Sequence, residues 1–504
     1  MVAAFLAAVS PWRPVGSSDG VAVFRTAASL AFEGTFVLPP APPGASYDPF
    51  YFPASPDGRG VVAVYAPFGS LLGAAVLLAA SSAPDPSIAG LLADRLASFG
   101  PIAASALAVP SFALLLRLGG ARRKPAAALA AGIVLGTFLG PLGLTDFQEP
   151  WLVLFAALSL ERALASRLLR GARRERALAA AGAAASAALL AKPTAVALLA
   201  ALLLPVLRPR RGEPALRGAL ALALSAVPGV ALVLALNEAR FGSPLSFGYA
   251  TQLAHPLAQR ASALWTTLRL TILPNRGLLW YAPVLLLAPI HAWSLLRGRR
   301  AVVAVTALLG FGAFFAANAA WFAWEGGFGW GPRLLAPAVA CAVPLLGVRG
   351  RAMKLGAALA VAGGLSLVPA YLLDADRLYR FASAADASGP FGPTVPIHRS
   401  RSEGAGLDPM QRPHYVPALA PVIVGPRLLA SLVLHGDGPG AGGTDAARTH
   451  DAAFLRRWLG QPGDPAPESG RLLLAEALAT APVDPGRARR MAERAVEFGV
   501  RPVP

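Results

Sequence analysis

Residues 218–236 read GALALALSAVPGVALVLAL, nineteen residues without a charge. A bilayer's hydrocarbon core of about 30 Å needs about 20 apolar residues to be crossed as a helix. A second block, AAALAAGIVLGTFLGPLGL (126–144), has the same character. The 504-residue chain is 55% hydrophobic and 14% charged, with a mean hydropathy of +0.54. A soluble chain carries about 25% charged residues. The sequence therefore predicts an all-α, polytopic membrane protein. Its 47 prolines and 51 glycines agree with this, since membrane helices tolerate both.

The net charge of +18 reports orientation rather than a nucleic-acid partner. Five short loops, 117–124, 161–176, 207–217, 297–300 and 349–354, hold 20 Lys and Arg against three acids, Glu161, Glu175 and Glu213. The rest of residues 1–371 holds ten of each sign. Short basic loops stay in the cytoplasm. With those loops inside, spans are predicted near 99–117, 125–144, 151–166, 177–191, 193–207, 218–236, 277–296, 301–320, 334–348 and 354–371. The outward connections are then 145–150 (TDFQEP), the turn at Lys192, the loop 237–276, and 321–333 (WFAWEGGFGWGPR). Residues 1–371 form the membrane domain. Residues 372–504, with 15 basic and 14 acidic residues, form an outer C-terminal tail, with two amphipathic helices expected over 470–499.

The N-terminal part leaves two readings open. MVAAFLAAV is too short to span and lacks the basic start of a signal peptide. Residues 60–82 are long enough to cross. If they cross, residues 1–59 lie inside; if they lie in the interface or re-enter, residues 10–98 form a first outer loop. The single cysteine, Cys341, allows no intrachain disulfide. No HExxH, Walker loop or zinc-type cluster is present. GFGWG (327–331) lacks the context of a nucleotide loop, and the six histidines show no ligand spacing. The Ala- and Arg-rich composition points to a GC-rich bacterial genome.

The order of several motifs resembles the polyprenyl-phosphate-sugar-dependent glycosyltransferases of the GT-C fold, near the protein O-mannosyltransferases and the lipid A aminoarabinose transferases (bacterial glycosyltransferase family 39). The motifs are SSDGVAVFRTAASLAFEG (17–34), YAPFGSLLGAAVLL, TDFQEP, LLAKPTAVALLAALLL, RFGSPLSFGYA, NRGLLWYAPVLLLAP and WEGGFGWGPRLLAPAVACAVPLL, together covering roughly residues 15–350. The resemblance implies a bundle of about 10–11 transmembrane helices with interfacial helices in the first outer loop. It also implies transfer of a sugar from a polyprenyl-phosphate donor to an acceptor glycan, lipid or protein, with inversion, at the periplasmic face of the inner membrane. Two departures stand out: the acidic pair of the mannosyltransferases is here Asp19-Gly20, and the first span is nearly absent, which suggests a misassigned start or a truncated chain.

Such a reaction needs a carboxylate to take the acceptor's proton and cations to hold the leaving phosphate. Asp19 fits the base, with a helix N-cap as its alternative role. Asp48 and Asp57 are further carboxylates of the same loop; Asp57, in SPDG, also reads as a turn residue. Lys192, Arg276 and Arg333 are the expected phosphate holders. Their alternative is anchoring at the interface. Glu149, Glu325 and Trp324 are expected at the substrate, with Glu149 otherwise a first-turn acid and Trp324 otherwise part of an aromatic belt. A divalent metal stays an open alternative. The rival functions are a flippase or transporter of lipid-linked sugars and an inactive subunit of the same fold.

Overall fold

The computed structural model describes residues 2–9, 18–38, 52–81, 86–145, 147–209, 213–249, 263–321, 326 and 330–372. The expected sites Asp48, Trp324 and Glu325 lie outside these, as does the tail from residue 373 with its helical pair. Among the described residues the secondary structure is helical apart from two isolated antiparallel bridges, Leu38 with Val61 and Ala54 with Val61. The protein is an all-α polytopic membrane protein. Among the described residues, three helices meet the length and composition for crossing outright, at Phe99–Gly119, Ala215–Phe241 and Ala301–Ala319. Four shorter apolar helical stretches, beginning at Pro67, Pro193, Pro283 and Arg333, accompany them.

The chain opens with α1 (Val2–Val9), whose Leu6 is fully buried in the main core and whose Phe5 ring meets Tyr371 edge-on at 5.6 Å. Next, α2 (Ser18–Glu33) packs on α3 (Pro67–Ser81). On α2, Phe24, Ala28 and Ala31 are partly buried against the cluster that Ala27 forms with Ala74, Leu77 and Ala80 of α3. Small residues make this possible, since an added Cβ at Gly73 would come within 2.9 Å of the Ala27 methyl. The stretch 60–82 is helical only from Pro67, fifteen residues in all, and its first part is extended. That helix is shorter than a full crossing requires.

α4 (Pro86–Gly119) is a single long helix with Pro101 and Pro110 inside it. The expected span 125–144 is instead broken into α5 (Arg123–Leu135) and α6 (Leu139–Leu142). The break has a local cause. Thr137 bonds back to Ile133 C=O at 2.7 Å, and the Phe138 amide leaves the helix to donate to Tyr281 C=O at 2.9 Å. α7 (Glu149–Ser166) and α8 (Gly171–Ala191) run antiparallel, joined at the basic loop between them. A 3₁₀ turn at Pro193–Ala197 leads to α9 (Leu198–Leu207), and α10 (Ala215–Phe241) packs along α8. After α11 (Ala263–Ile272) and the short α12 (Leu278–Tyr281), a 3₁₀ turn at Pro283 precedes α13 (Ala288–Leu296). α14 (Ala301–Ala319), α15 (Ala336–Ala342), α16 (Arg351–Ser366) and α17 (Val368–Leu372) complete the bundle.

The core is made largely of Ala, Leu and Val from α4, α5, α7, α8, α14 and α15. Backbones approach closely where glycine allows it. A Cβ on Gly136 would stand 2.0 Å from Ala360 C=O, and one on Gly363 would stand 2.2 Å from Gly136 C=O, so α5 and α16 meet at a glycine seam.

Candidate functional site

The site gathers at the end of the bundle where α7 begins and α8 ends. Its centre is the run Phe147-Gln148-Glu149. Pro150 at the second helical position suits the start of α7, and Glu149 places a carboxylate at the helix's positive end. Lys192 sits just past the last residue of α8 in an extended conformation (φ −163°, ψ 132°), set by the Pro193 that follows. Because the two helices are antiparallel, these ends coincide. Lys192 Nζ lies 2.6 Å from Glu149 Oε1. The Glu149 side chain is 3% exposed and that of Lys192 22%, so the carboxylate is sealed while the ammonium keeps a path to its surroundings.

The neighbouring residues of the same run reach other elements. The Phe147 ring lies under the Arg333 guanidinium, 3.6 Å from ring centre to Cζ, a close cation–π contact. Gln148 Nε2 donates to Ala66 C=O at 3.1 Å, tying this run to the extended entry of α3. Arg276 is fully buried and donates through Nη1 to Gly331 C=O. Gly331 has φ +67°, and a Cβ there would meet the Tyr281 ring at 2.9 Å; only glycine lets this loop lie on Tyr281 and offer its carbonyl to Arg276. The Tyr281 hydroxyl donates in turn to Asn275 C=O at 3.3 Å. Glu149, Arg276 and Arg333 each have further polar or ring contacts.

Four of the expected residues are thus brought to one end of the bundle. Arg276 and Arg333 lie two steps apart through Gly331, and Arg333 and Lys192 are linked through Phe147 and Glu149. Lys192 is paired with Glu149, a contact between two of the expected residues. Asp19 occupies the second position of α2, because the helix starts at Ser18, one residue before the expected cap. α2 is joined to the same neighbourhood through α3. The Ser70 hydroxyl donates to Val23 C=O at 3.2 Å, and a Cβ on Gly69 would fall between Val23 and the Gln148 amide.

Asp57 serves as a turn residue. Its carboxylate accepts from the Ser55 hydroxyl at 2.7 Å, the Arg59 amide at 3.1 Å and Arg59 Nε at 2.6 Å. These bonds, the Ser55 hydroxyl first, hold its carboxyl down to about 2. It is committed to the loop and poorly suited to take a proton near neutrality.

Two residues were not anticipated from the sequence. Gln148 carries no charge to mark it beside the acidic Glu149. Arg240, 3% exposed at the end of α10, donates to the carbonyls of Ala63 and Tyr65 and lies against the rings of Phe241 (4.6 Å) and Phe36 (5.9 Å). It clamps the extended segment from which α3 departs. A buried arginine in an apolar helix end was a visible signal, since such a charge needs a reason. Among the described residues no three His, Cys, Asp or Glu side chains come together as a metal site would require.

No known family matches the chain, and no curated protein does. Solved structures do show a distant likeness. ArnT from Cupriavidus metallidurans bound to undecaprenyl phosphate is 14% identical with a TM-score of 0.49, over 99% of this chain and 74% of that one. The archaeal oligosaccharyltransferase AglB from Archaeoglobus fulgidus, in complex with an inhibitory peptide and a dolichol-phosphate, is 15% identical with a TM-score of 0.41, over 100% of this chain and 60% of that one.

Proposed function

We propose that the protein is a membrane glycosyltransferase that moves a sugar from a polyprenyl-phosphate donor to an acceptor hydroxyl at the outer face of the cytoplasmic membrane, with inversion. The observation that carries this reading is the convergence of Glu149, Lys192, Arg276 and Arg333 at one end of the bundle, on loops that the charge pattern places outside. The motif order supports it independently. In this reading the donor's phosphate sits near Lys192, Arg276 and Arg333. Arg276 and Arg333 are preset by backbone and ring contacts. Lys192 is the adjustable member, because Glu149 keeps its ammonium in place until a phosphate oxygen competes for it. Asp19 takes the acceptor's proton as the hydroxyl oxygen attacks the anomeric carbon and the bond to the lipid phosphate breaks. Trp324 would offer an aromatic face to the sugar ring, and the Glu325 carboxylate would accept from its hydroxyls.

The test is transfer of radiolabelled sugar from a polyprenyl-phosphate-sugar donor in proteoliposomes. Wild type should consume donor, and Asp19→Asn should lose turnover by about 10²-fold or more, the usual worth of a positioned base. Leaflet exchange of the donor without transfer, equal in wild type and Asp19→Asn, would replace this reading with a flippase.

A further inference from the structure

The five basic loops are not alike. Loops 117–124, 297–300 and 349–354 hold ten Lys and Arg and no Asp or Glu, whereas the three acids all fall in the other two. The structure brings the three acid-free loops together at the far end of α4. Gly119 C=O there meets His291 Nε2 at 3.3 Å and accepts from Arg300 Nη1 at 3.4 Å. The next carbonyl, Gly120, accepts from Arg349 Nε at 2.6 Å. A helix C-terminus carries roughly half a negative charge, which two guanidinium groups exceed. Among the described residues, no carboxylate forms an ion pair with His291, Arg300 or Arg349. Both arginines are exposed, and each keeps donors beyond the bond it spends on α4.

The place of this surplus charge is marked by its neighbours. Leu286, Ile290 and Trp293 are exposed at i, i+4 and i+7, an apolar stripe on the outside of a membrane bundle. The stripe ends at Arg297, whose Cζ lies 4.1 Å from the Trp293 ring centre. A tryptophan capped by an arginine at the end of a lipid-facing stripe marks the headgroup level. The acid-free confluence therefore stands where lipid phosphates lie, beside a surface that acyl chains cover.

We infer that this confluence is a binding site for an anionic phospholipid, with Arg300 and Arg349 on the headgroup phosphate, Arg299 contributing charge, and the Leu286–Ile290–Trp293 stripe along an acyl chain. The site lies at the opposite end of the bundle from the candidate active site and does not depend on the proposed activity.

The experiment is native mass spectrometry of the full-length protein in neutral detergent, titrated with phosphatidylglycerol or phosphatidylcholine of the same acyl chains. Phosphatidylglycerol should bind preferentially. A basic residue near a lipid surface is worth roughly fivefold in affinity. Arg300→Gln/Arg349→Gln should thus weaken phosphatidylglycerol binding about 25-fold, the product of two such steps. Because both residues also hold the end of α4, Arg299→Gln provides a variant that removes no backbone contact; it should weaken binding about fivefold. Arg173→Gln/Arg176→Gln, in a loop that contains acids, should leave binding within about twofold, its charge being outside the site. Equal binding of the two lipids, or unchanged phosphatidylglycerol affinity in Arg299→Gln and the double variant, overturns the site. Full displacement of phosphatidylglycerol by millimolar inorganic phosphate overturns its assignment to a lipid.

Discussion

The Glu149–Lys192 pair makes a prediction whose size follows from its burial. At 2.6 Å and an effective dielectric near 20, the gross attraction is about 6 kcal/mol, most of it offset by the desolvation of both ions. The two partners are not equivalent. Lys192→Met leaves a carboxylate that is 3% exposed without its cation. This should cost about 3 kcal/mol, the lower end for breaking a buried pair because Lys192 itself is partly exposed. Glu149→Gln leaves an ammonium on a flexible stem that can reach the headgroups, and should cost only about 1 kcal/mol. The double variant removes both charges. It should cost about 2 kcal/mol rather than the additive value of about 4, a coupling near 2 kcal/mol. The assay is SDS-induced unfolding in mixed micelles, for the wild type, both single variants and the double variant. A double variant within about 0.5 kcal/mol of the sum would show that the pair is not coupled and that Lys192 is not held by Glu149.

Two further predictions concern packing. Arg240→Gln should free the 61–66 segment and raise the rate of tryptic cleavage after Arg59, whose side chain is 81% exposed, by about tenfold or more, since hydrogen bonds to a charged group are worth roughly 1.5–3 kcal/mol each; Arg240→Lys should recover part of the protection, and an unchanged rate would deny the clamp. Gly136→Val, placed where a Cβ stands 2.0 Å from Ala360 C=O, should destabilise the bundle by about 2 kcal/mol or more in the same SDS titration, whereas Gly312→Ala, with open space around it, should stay within about 0.5 kcal/mol of wild type.

The bundle was legible because its signals are long. An uncharged run such as 218–236 can be satisfied in lipid by little except a helix, and the observed helix Ala215–Phe241 covers it. Breaks inside spans were hidden. Residues 126–144 are apolar on both sides of Thr137, and what stops the helix is the partner that Phe138 finds 143 residues later in Tyr281. The candidate site was half legible. Charged residues next to apolar runs, such as Lys192, Arg276 and Arg333, declare themselves by cost. Their partners do not, because the Glu149–Lys192 contact depends on two helix ends meeting, and the contacts of Arg276 and Arg333 depend on how the 330–333 loop folds over Tyr281. Gln148 is neutral and gave no such signal, although its amide joins the start of α7 to the segment before α3.

The length of α4 has a mechanical consequence. At 34 residues it extends about 50 Å, against a hydrocarbon layer of about 30 Å. The stretch of α4 long and apolar enough to cross is Phe99–Gly119, so Pro86–Ser98 prolongs that helix beyond its crossing length. Pro101, two residues into that crossing stretch, removes one backbone bond from the helix. A push on the Pro86 end would therefore act through a hinge at Pro101 before it reached the part of α4 that packs in the core.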